Sequence, residues 1–520
     1  MKNLRCWFAL LTALLVIAPV RAHEEKTEAK AEKEETQGAD KKADVKEKEK
    51  EKEPVLSVTE HEITIGGQLI KYRATAGYLV LKDAKDKARA NIFFTAYTKL
   101  GETDPAKRAL TFSFNGGPGS SSVWLHLGML GPKRVVMTDK GESLPPPYKW
   151  VDNESSWLDQ TDLVFIDPVS TGYSRAANGV DAKPFHGFTG DVESVGEFIR
   201  LWTTRNQRWA SPKFLVGESY GTTRAAGLSD YLQGKYDFYL NGIMLISSIM
   251  NFQTARFAPG NDLPYQLFLP TYTAAAFYHG KLKGELAKDL PKTLAKVEDF
   301  VMKDYTLALM QGAALPEAER QRIAMQLSAF TGLTVGYMLE QNLRVDIFKF
   351  VTELRRSEHR TIGRLDSRFV GITDDEEFVD PSMEAINGGY TTALNDYMRR
   401  ELKYENDLPY EILTGAVYPW SYSNAENEYL NVAETLKKAM TKNPFLKVWI
   451  ANGRYDLATP YFATKYTVDH MGLDASIRDH LTLTYYEAGH MMYIEKQSRV
   501  KLKTDFDAFL DATLKSAGVR

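Results

Sequence analysis

"FLVGESYGTTRAA", Phe214 to Ala226, sets a serine between two glycines, after an apolar run and before a stretch compatible with a helix. Gly217, Glu218, Ser219, Tyr220 and Gly221 fit G-x-S-x-G, the pattern of a strand that turns sharply into a helix and lifts a serine hydroxyl clear of the sheet. Flanking glycines let backbones pass closely there. A pattern with three fixed positions arises by chance in 520 residues. Ser219 as a small turn residue therefore stands against Ser219 as a nucleophile until the rest of the chain decides.

The apolar run before Ser219 has counterparts in "ALTFSF" (109–114), "DLVFID" (162–167), "GIMLISS" (242–248) and "KVWIANG" (447–453). Short apolar runs that end in Gly, Asp, Asn or Ser suit strands buried on both faces of a parallel sheet. Helical patterns lie between several of them, from Asp191 and from Thr222, and such alternation argues for an α/β sheet. Residues 61–83 alternate polar and apolar around Gly66 and Gly67, and "NIFFTAY" follows from Asn91. They predict an antiparallel hairpin and a further strand at the amino-terminal edge. Between Met250 and about Met440 the strand texture gives way to helical patterns. An insertion at that place in the strand order would sit over the carboxyl ends of the strands, where ligands bind in open sheets. The predicted organisation is a core of residues 55–250 and 441–520 with a helical cap, 251–440. The cap's aromatics and arginines are assigned to its core and its solvated face.

Lys2 and Arg5, an apolar run from Cys6 to Val20, and Arg21-Ala22 before a charged stretch read as a secretory signal, residues 1–22, cut after Ala22. The expected location is exported, periplasmic or secreted. In residues 23–54, 21 of 32 side chains are Asp, Glu or Lys, which predicts a tether without a core. The net charge of the chain is −3. The signal carries +3 and the tether −3, so the body also keeps −3, a balance that argues against nucleic acid as a partner. Cys6, the single cysteine, falls in the signal. The processed chain is expected to have no disulfide, no thiol nucleophile and no cysteine metal site. After signal removal no further apolar run is long enough to span a membrane.

A serine needs a base, and the base needs a carboxylate to fix its tautomer. His490 in "LTYYEAGHMMYIE" follows a strand-like run more clearly than any other histidine. Asp456 lies on the loop after "KVWIANG". An Asp in such a turn commonly binds only local backbone. The chain order Ser219, Asp456, His490, each after a predicted strand, selects these three as nucleophile, acid and base. In "TFSFNGGPGSSS" (111–122) the glycines leave N–H groups open, so Gly117 and Tyr220 are the candidate oxyanion donors. A phosphate loop is disfavoured, because the P-loop lysine and the G-x-G-x-x-G spacing are missing. No metal or organic cofactor is implied.

With these motifs in place the chain resembles the serine carboxypeptidase family: G-E-S-Y at 217–220, N-G-G-P-G at 115–119, the segment 155–175 with its Trp, buried strand and Asp-Pro turn, and "AGHM" at 488–491. Within the insertion, "LPTYTAAAFYHGKL" and "RLDSRF" are similar to exported bacterial members. The resemblance implies an α/β-hydrolase fold, with a mostly parallel sheet, an amino-terminal antiparallel edge and a helical cap. It also implies removal of carboxyl-terminal residues from peptide or protein substrates, with Asn115 and Glu218 holding the substrate's terminal carboxylate. Two positions depart from the family. Ser120 stands where members usually carry a disulfide cysteine, and Met129 where many carry a second carboxylate-binding Glu. The alternative is thus an esterase or acyltransferase on the same triad, and a third reading is an idle binding protein. A Glu218 beside a substrate carboxylate should bind best when protonated.

Overall fold

Nine strands, in the order β1-β2-β3-β5-β4-β6-β7-β8-β9, run through the main sheet of the computed structural model, which describes residues 55–374 and 377–519. They are β1 (Ser57–Ile65), β2 (Gln68–Lys82), β3 (Ala88–Lys99), β4 (Ala109–Phe114), β5 (Thr161–Ile166), β6 (Lys213–Ser219), β7 (Gly242–Ser248), β8 (Lys447–Gly453) and β9 (Leu481–Tyr486). β1, β2 and β3 pair antiparallel, as does β3 with β5, and every later pairing is parallel. A two-residue strand, Arg175–Ala176, pairs with β3 off this path. The expected signal and tether, with Cys6, lie outside the described residues.

The apolar runs are continuous because both faces of the sheet are covered. Phe214, Val216, Met244, Ile246, Trp449 and Ala451 belong to one buried cluster, and their neighbours Leu215, Ile243, Leu245, Val448 and Ile450 to another. This is the period-two alternation of a strand with no solvent side. Helices α1 (Phe188–Arg205) and α2 (Tyr220–Tyr236) cover the second face. The carboxyl-terminal helix, Lys496–Ser516, covers the first, and its Phe506 stacks on Trp157 with ring centroids 3.6 Å apart.

The insertion differs from a purely helical cap. Its helices α3 (Leu263–Tyr278), α4 (Leu290–Phe300) and α5 (Glu317–Thr331) share a third apolar cluster. That cluster also takes in Tyr461 and Phe462, from the helix Tyr461–Asp469 beyond β8. Arg360–Ile362 and Val370–Ile372 form a short antiparallel hairpin. Helix α6 (Pro381–Arg400) buries Ile386, Tyr390, Leu394 and Tyr397 in the cluster that backs the sheet. Residues 401–432 carry no helix beyond one short turn, Ser423–Ala425. Three-residue strands are too short to leave a period in the sequence.

Candidate active site

β4 and β6 pair in parallel with Phe114 opposite Gly217, so the loop from Asn115 leaves the sheet beside the turn at Ser219. On the other side β8 pairs with β9, Gly453 opposite Tyr486, which sends the Asp456 and His490 loops out together. All four loops emerge from carboxyl ends of parallel strands, the crevice side of an open sheet.

Ser219 ends β6 and caps α2 at φ 60°, ψ −129°, a conformation a non-glycine residue rarely takes. It is held by crowding on both sides. A Cβ on Gly217 would fall 2.1 Å from the Gly221 carbonyl oxygen, so only glycine lets strand and helix approach this closely. Tyr220 opens α2, and the N–H of a first-turn residue has no carbonyl partner within its own helix. Gly116 lies backbone to backbone against this turn, where a Cβ would meet Tyr220 N at 2.4 Å. Arg224 fixes the same junction. It is fully buried, donates from Nε to Asp191 Oδ2 at 2.8 Å and from Nη1 to the Asn115 carbonyl at 2.6 Å.

The Asp456 carboxylate is buried and accepts from Ala458 N at 2.8 Å and Thr459 N at 3.0 Å through Oδ1. Its Oδ2 meets His490 Nδ1 at 2.7 Å and the Thr459 hydroxyl at 2.7 Å. The turn-binding role open to this Asp in the sequence is therefore present alongside the histidine contact. Burial pulls the His490 pKa down, but the charge and hydrogen bond of Asp456 outweigh it, and the net value lies above that of an ordinary imidazole. The His490 carbonyl accepts from Ser247 Oγ at 2.6 Å, which ties this loop to β7.

Ser219 and His490 line one cavity of about 930 Å³, together with Gly116, Gly117, Glu218 and Tyr220. Glu218 is 3% exposed. Burial pushes its pKa up to about 7, against smaller opposing effects of His490, Tyr493 and Asn115. Asn115 Nδ2 donates to Glu218 Oε1 at 3.0 Å, and Oε2 has no hydrogen-bond partner. The Tyr493 hydroxyl faces this carboxyl without a hydrogen bond of good geometry. Asn115 and Met129 lie behind the wall. Met129 is 1% exposed within the apolar cluster behind the sheet, so position 129 does not face the cavity as the family pattern led us to expect.

Two groups of residues have a place at this site that the sequence alone did not assign to them. Tyr418, Trp420 and Tyr422 line the cavity with Phe252, although the insertion's aromatics were assigned to core and solvated face. Their segment docks on the glycine-rich loop 115–122, with Ser121 N on the Ile412 carbonyl at 2.9 Å and Thr414 N on that of Gly119 at 2.9 Å. Trp420 Nε1 donates to Tyr220 Oη at 3.1 Å. The concentration of aromatics in "VYPWSY" was the available signal. The second group is "RLDSRF", at the tip of the insertion's hairpin, which straps the acid and histidine loops together. Leu457 N donates to the Arg364 carbonyl at 3.1 Å, His490 N to that of Leu365 at 2.7 Å, and Ser367 N to that of Tyr455 at 3.0 Å. Asp366 Oδ2 accepts from Gly489 N at 3.0 Å, and Arg368 grips Asp366 through both oxygens at 2.9 and 2.7 Å.

Among the described residues no group of His, Cys, Asp and Glu is arranged to hold a metal ion, and no helix is long and apolar enough to cross a membrane.

The family model "Serine carboxypeptidase" matches residues 66–518. Serine carboxypeptidase-like 34 of Arabidopsis thaliana is 22% identical over 435 residues, 78% of this chain and 75% of that protein. Serine carboxypeptidase-like 45 of the same plant is 23% identical over 51% of this chain and 59% of that protein. Among solved structures, Kex1Δp, a prohormone-processing carboxypeptidase from Saccharomyces cerevisiae, superposes with a TM-score of 0.54. It is 17% identical and covers 85% of this chain and 91% of its own, a likeness of fold. With the mostly parallel sheet, its antiparallel edge and a family match over most of the sequence, the chain belongs to the serine carboxypeptidase family of hydrolases and has the α/β-hydrolase fold.

Proposed function

We propose that this protein is an exported serine carboxypeptidase that removes carboxyl-terminal residues through an acyl-enzyme, with Ser219, His490 and Asp456 as the triad. The observation that carries this reading is the 2.7 Å contact of His490 Nδ1 with buried Asp456, on a histidine that shares its cavity with Ser219. With Nδ1–H given to Asp456, the free Nε2 is the base. Ser219 Oγ attacks the peptide carbonyl as its proton passes to Nε2. The Gly117 and Tyr220 N–H groups receive the oxyanion. The leaving amine takes the proton from His490, and water, deprotonated in turn, releases the acid and restores the serine. Residues 1–22 as a cleaved signal account for export. An esterase or acyltransferase on the same triad is the alternative, favoured by a cavity wall on which Glu218 is the one carboxyl group among the lining residues. Mass spectrometry of a peptide mixture after incubation decides between them: stepwise loss from the carboxyl end supports the peptidase, and ester cleavage without such loss overturns it.

The pH profile is expected to separate peptide from ester. His490 must be neutral, so both activities rise with pH through its raised pKa. Glu218 ionises near 7, and once charged it repels a substrate carboxylate. Peptide KM should therefore climb above that value while ester KM stays level. Because Glu218 and His490 feel each other, the limbs belong to the pair. Measuring both substrates over roughly pH 5 to 9 checks this; parallel curves would remove Glu218 from carboxylate binding.

Asp366→Asn is expected to lower kcat about 10- to 100-fold with little change in KM, since small misplacement of a catalytic group is enough for such losses. Asp366 would act as a positioning residue through the Gly489 N–H. Its loss should also broaden the acid limb set by His490, and an unchanged kcat and profile would leave the strap a purely structural element.

A further inference from the structure

One arginine of the strap is consumed by the fold and the other is left open. Arg368 closes two bonds on Asp366, and its side chain is 14% exposed. Arg364 lies on the wall of the Ser219 cavity, its side chain is 35% exposed, and its nearest acid, Asp380, is 3.9 Å away. That contact runs to Asp380 Oδ2 and is too long for a hydrogen bond, while Asp380 Oδ1 accepts from Arg364 N at 3.1 Å, Ser382 N at 3.0 Å and Ser382 Oγ at 2.5 Å. The backbone under Arg364 is fixed from both sides by the bonds of Leu457 to residue 364 and of His490 to residue 365. The backbone of Arg364 is thus anchored next to the His490 loop, and its positive charge acts on the His490 imidazole.

The side of the cavity matters. His490 must hand its proton to the leaving nitrogen, so the released residue lies on the histidine side of the scissile bond. In a carboxyl-terminal residue the free carboxylate is separated from that nitrogen by a single Cα. Arg256, the other cavity arginine, stacks over Phe252 at 5.7 Å, on the Tyr220 side. Glu218 is too enclosed to carry the anion alone, since its Oε2 is buried and its Oε1 is engaged by Asn115.

We propose that Arg364 is the anion-holding residue of the site and receives the free carboxylate of the residue released from the peptide. This rests on the carboxypeptidase reading and adds a residue to it. A planar guanidinium offers a carboxylate two parallel donors. It would supply a hydrogen-bond donor to that carboxylate, which Met129, turned into the core, does not.

The test uses the full chain with Ser219→Ala, so that binding is read without turnover. N-acetylated Phe-Leu and its carboxyl-terminal amide are titrated by calorimetry against that protein and against the same protein carrying Arg364→Met or Arg364→Lys. With Arg364 present the free acid is expected to bind about 10- to 100-fold more tightly than the amide, the range of a charge-assisted hydrogen bond. The preference should fall below about threefold with Met and persist in part with Lys, which keeps the charge but not the fork. An acid preference that survives in Arg364→Met overturns the assignment. So does an amide that binds as well as the acid to the arginine form, or a failure of both probes to bind it. Products of the wild-type chain on free peptides judge the carboxypeptidase reading separately. Carboxyl-terminal release with an unchanged preference in Arg364→Met sinks the role of Arg364 alone, and absence of such release sinks the peptidase reading whatever the titration gives.

Discussion

Ser219→Ala is expected to lower turnover by roughly four to six orders of magnitude, the loss seen when one member of a triad that acts as a unit is removed. The fold should persist. Alanine loses only the hydroxyl, and the shape of the turn is imposed by the contact of Gly217 with Gly221 and by the pairing of β6 with β4 and β7. The strained φ of 60° is borne by alanine about as it is by serine. Circular dichroism and the thermal midpoint report the fold, and hydrolysis of peptide and ester reports the chemistry. Fluorophosphonate labelling of the wild type and of the variant adds a direct probe, since only an activated serine reacts. A folded variant with near-normal activity, or a labelled one, would return Ser219 to the role of a small residue in a tight turn. The same result would remove the reason for reading the Asp456–His490 pair as catalytic.

What could be read from residues alone followed the burial of the strands. β4, β7 and β8 sit where their apolar runs predict them, because a strand covered on both faces writes its limits as a block of apolar residues ended by polar ones. The reading of Asp456 rests on a related feature, since it lies a few residues beyond such a block, whereas His490 follows β9, a partly exposed edge strand of alternating apolar and polar residues, and is named by the family motif. The rest of the site comes from the insertion, where position is set by tertiary contact. The hairpin around "RLDSRF" is held by bonds to loops about ninety to a hundred and twenty residues away, from Ser367 to Tyr455 and from Asp366 to Gly489, and the family likeness of this stretch says nothing of those contacts. Tyr418, Trp420 and Tyr422 have the composition of a core. They line a cavity because residues 412–414 anchor on the glycine-rich loop 115–122. Helix α6 has the look of a cap helix in sequence, yet its buried face completes the layer behind the sheet. Met129 shows the converse limit: a motif position carries over by number, while the direction of its side chain depends on what packs around it.

Loss of Arg224 should have the largest effect on stability. Arg224 and Asp191 are 1% and 2% exposed. Removing one member of such a pair leaves a buried charge uncompensated, a change that costs about 3–5 kcal/mol. Here the loss also frees the Asn115 carbonyl and the cation–π contacts with Phe114 and Tyr220, at 5.2 and 5.5 Å. Arg224→Met keeps much of the volume and removes the charge. Burial already raises the Asp191 pKa while Arg224 pulls it back. Without the arginine the folded-state value rises further, and the native state then holds a proton that the unfolded chain releases at an ordinary carboxylate pKa. Stability of the variant should therefore fall as pH rises from the unfolded towards the raised folded value, and the deficit against wild type should shrink in acid. Denaturant midpoints of the wild type and of Arg224→Met, at pH values inside and below that window, test the sign. Arg224→Met with Asp191→Leu is the control, because with both charges gone the desolvation penalty disappears and most of the lost stability should return. Activity need not return with it, since neither substituted side chain binds the Asn115 carbonyl. A double variant that regains its midpoint but stays slow, with KM little changed, would mean that Arg224 serves the geometry of the oxyanion loop as well as the core. A single variant as stable as wild type at neutral pH would mean that the Asp191–Arg224 pair holds neither.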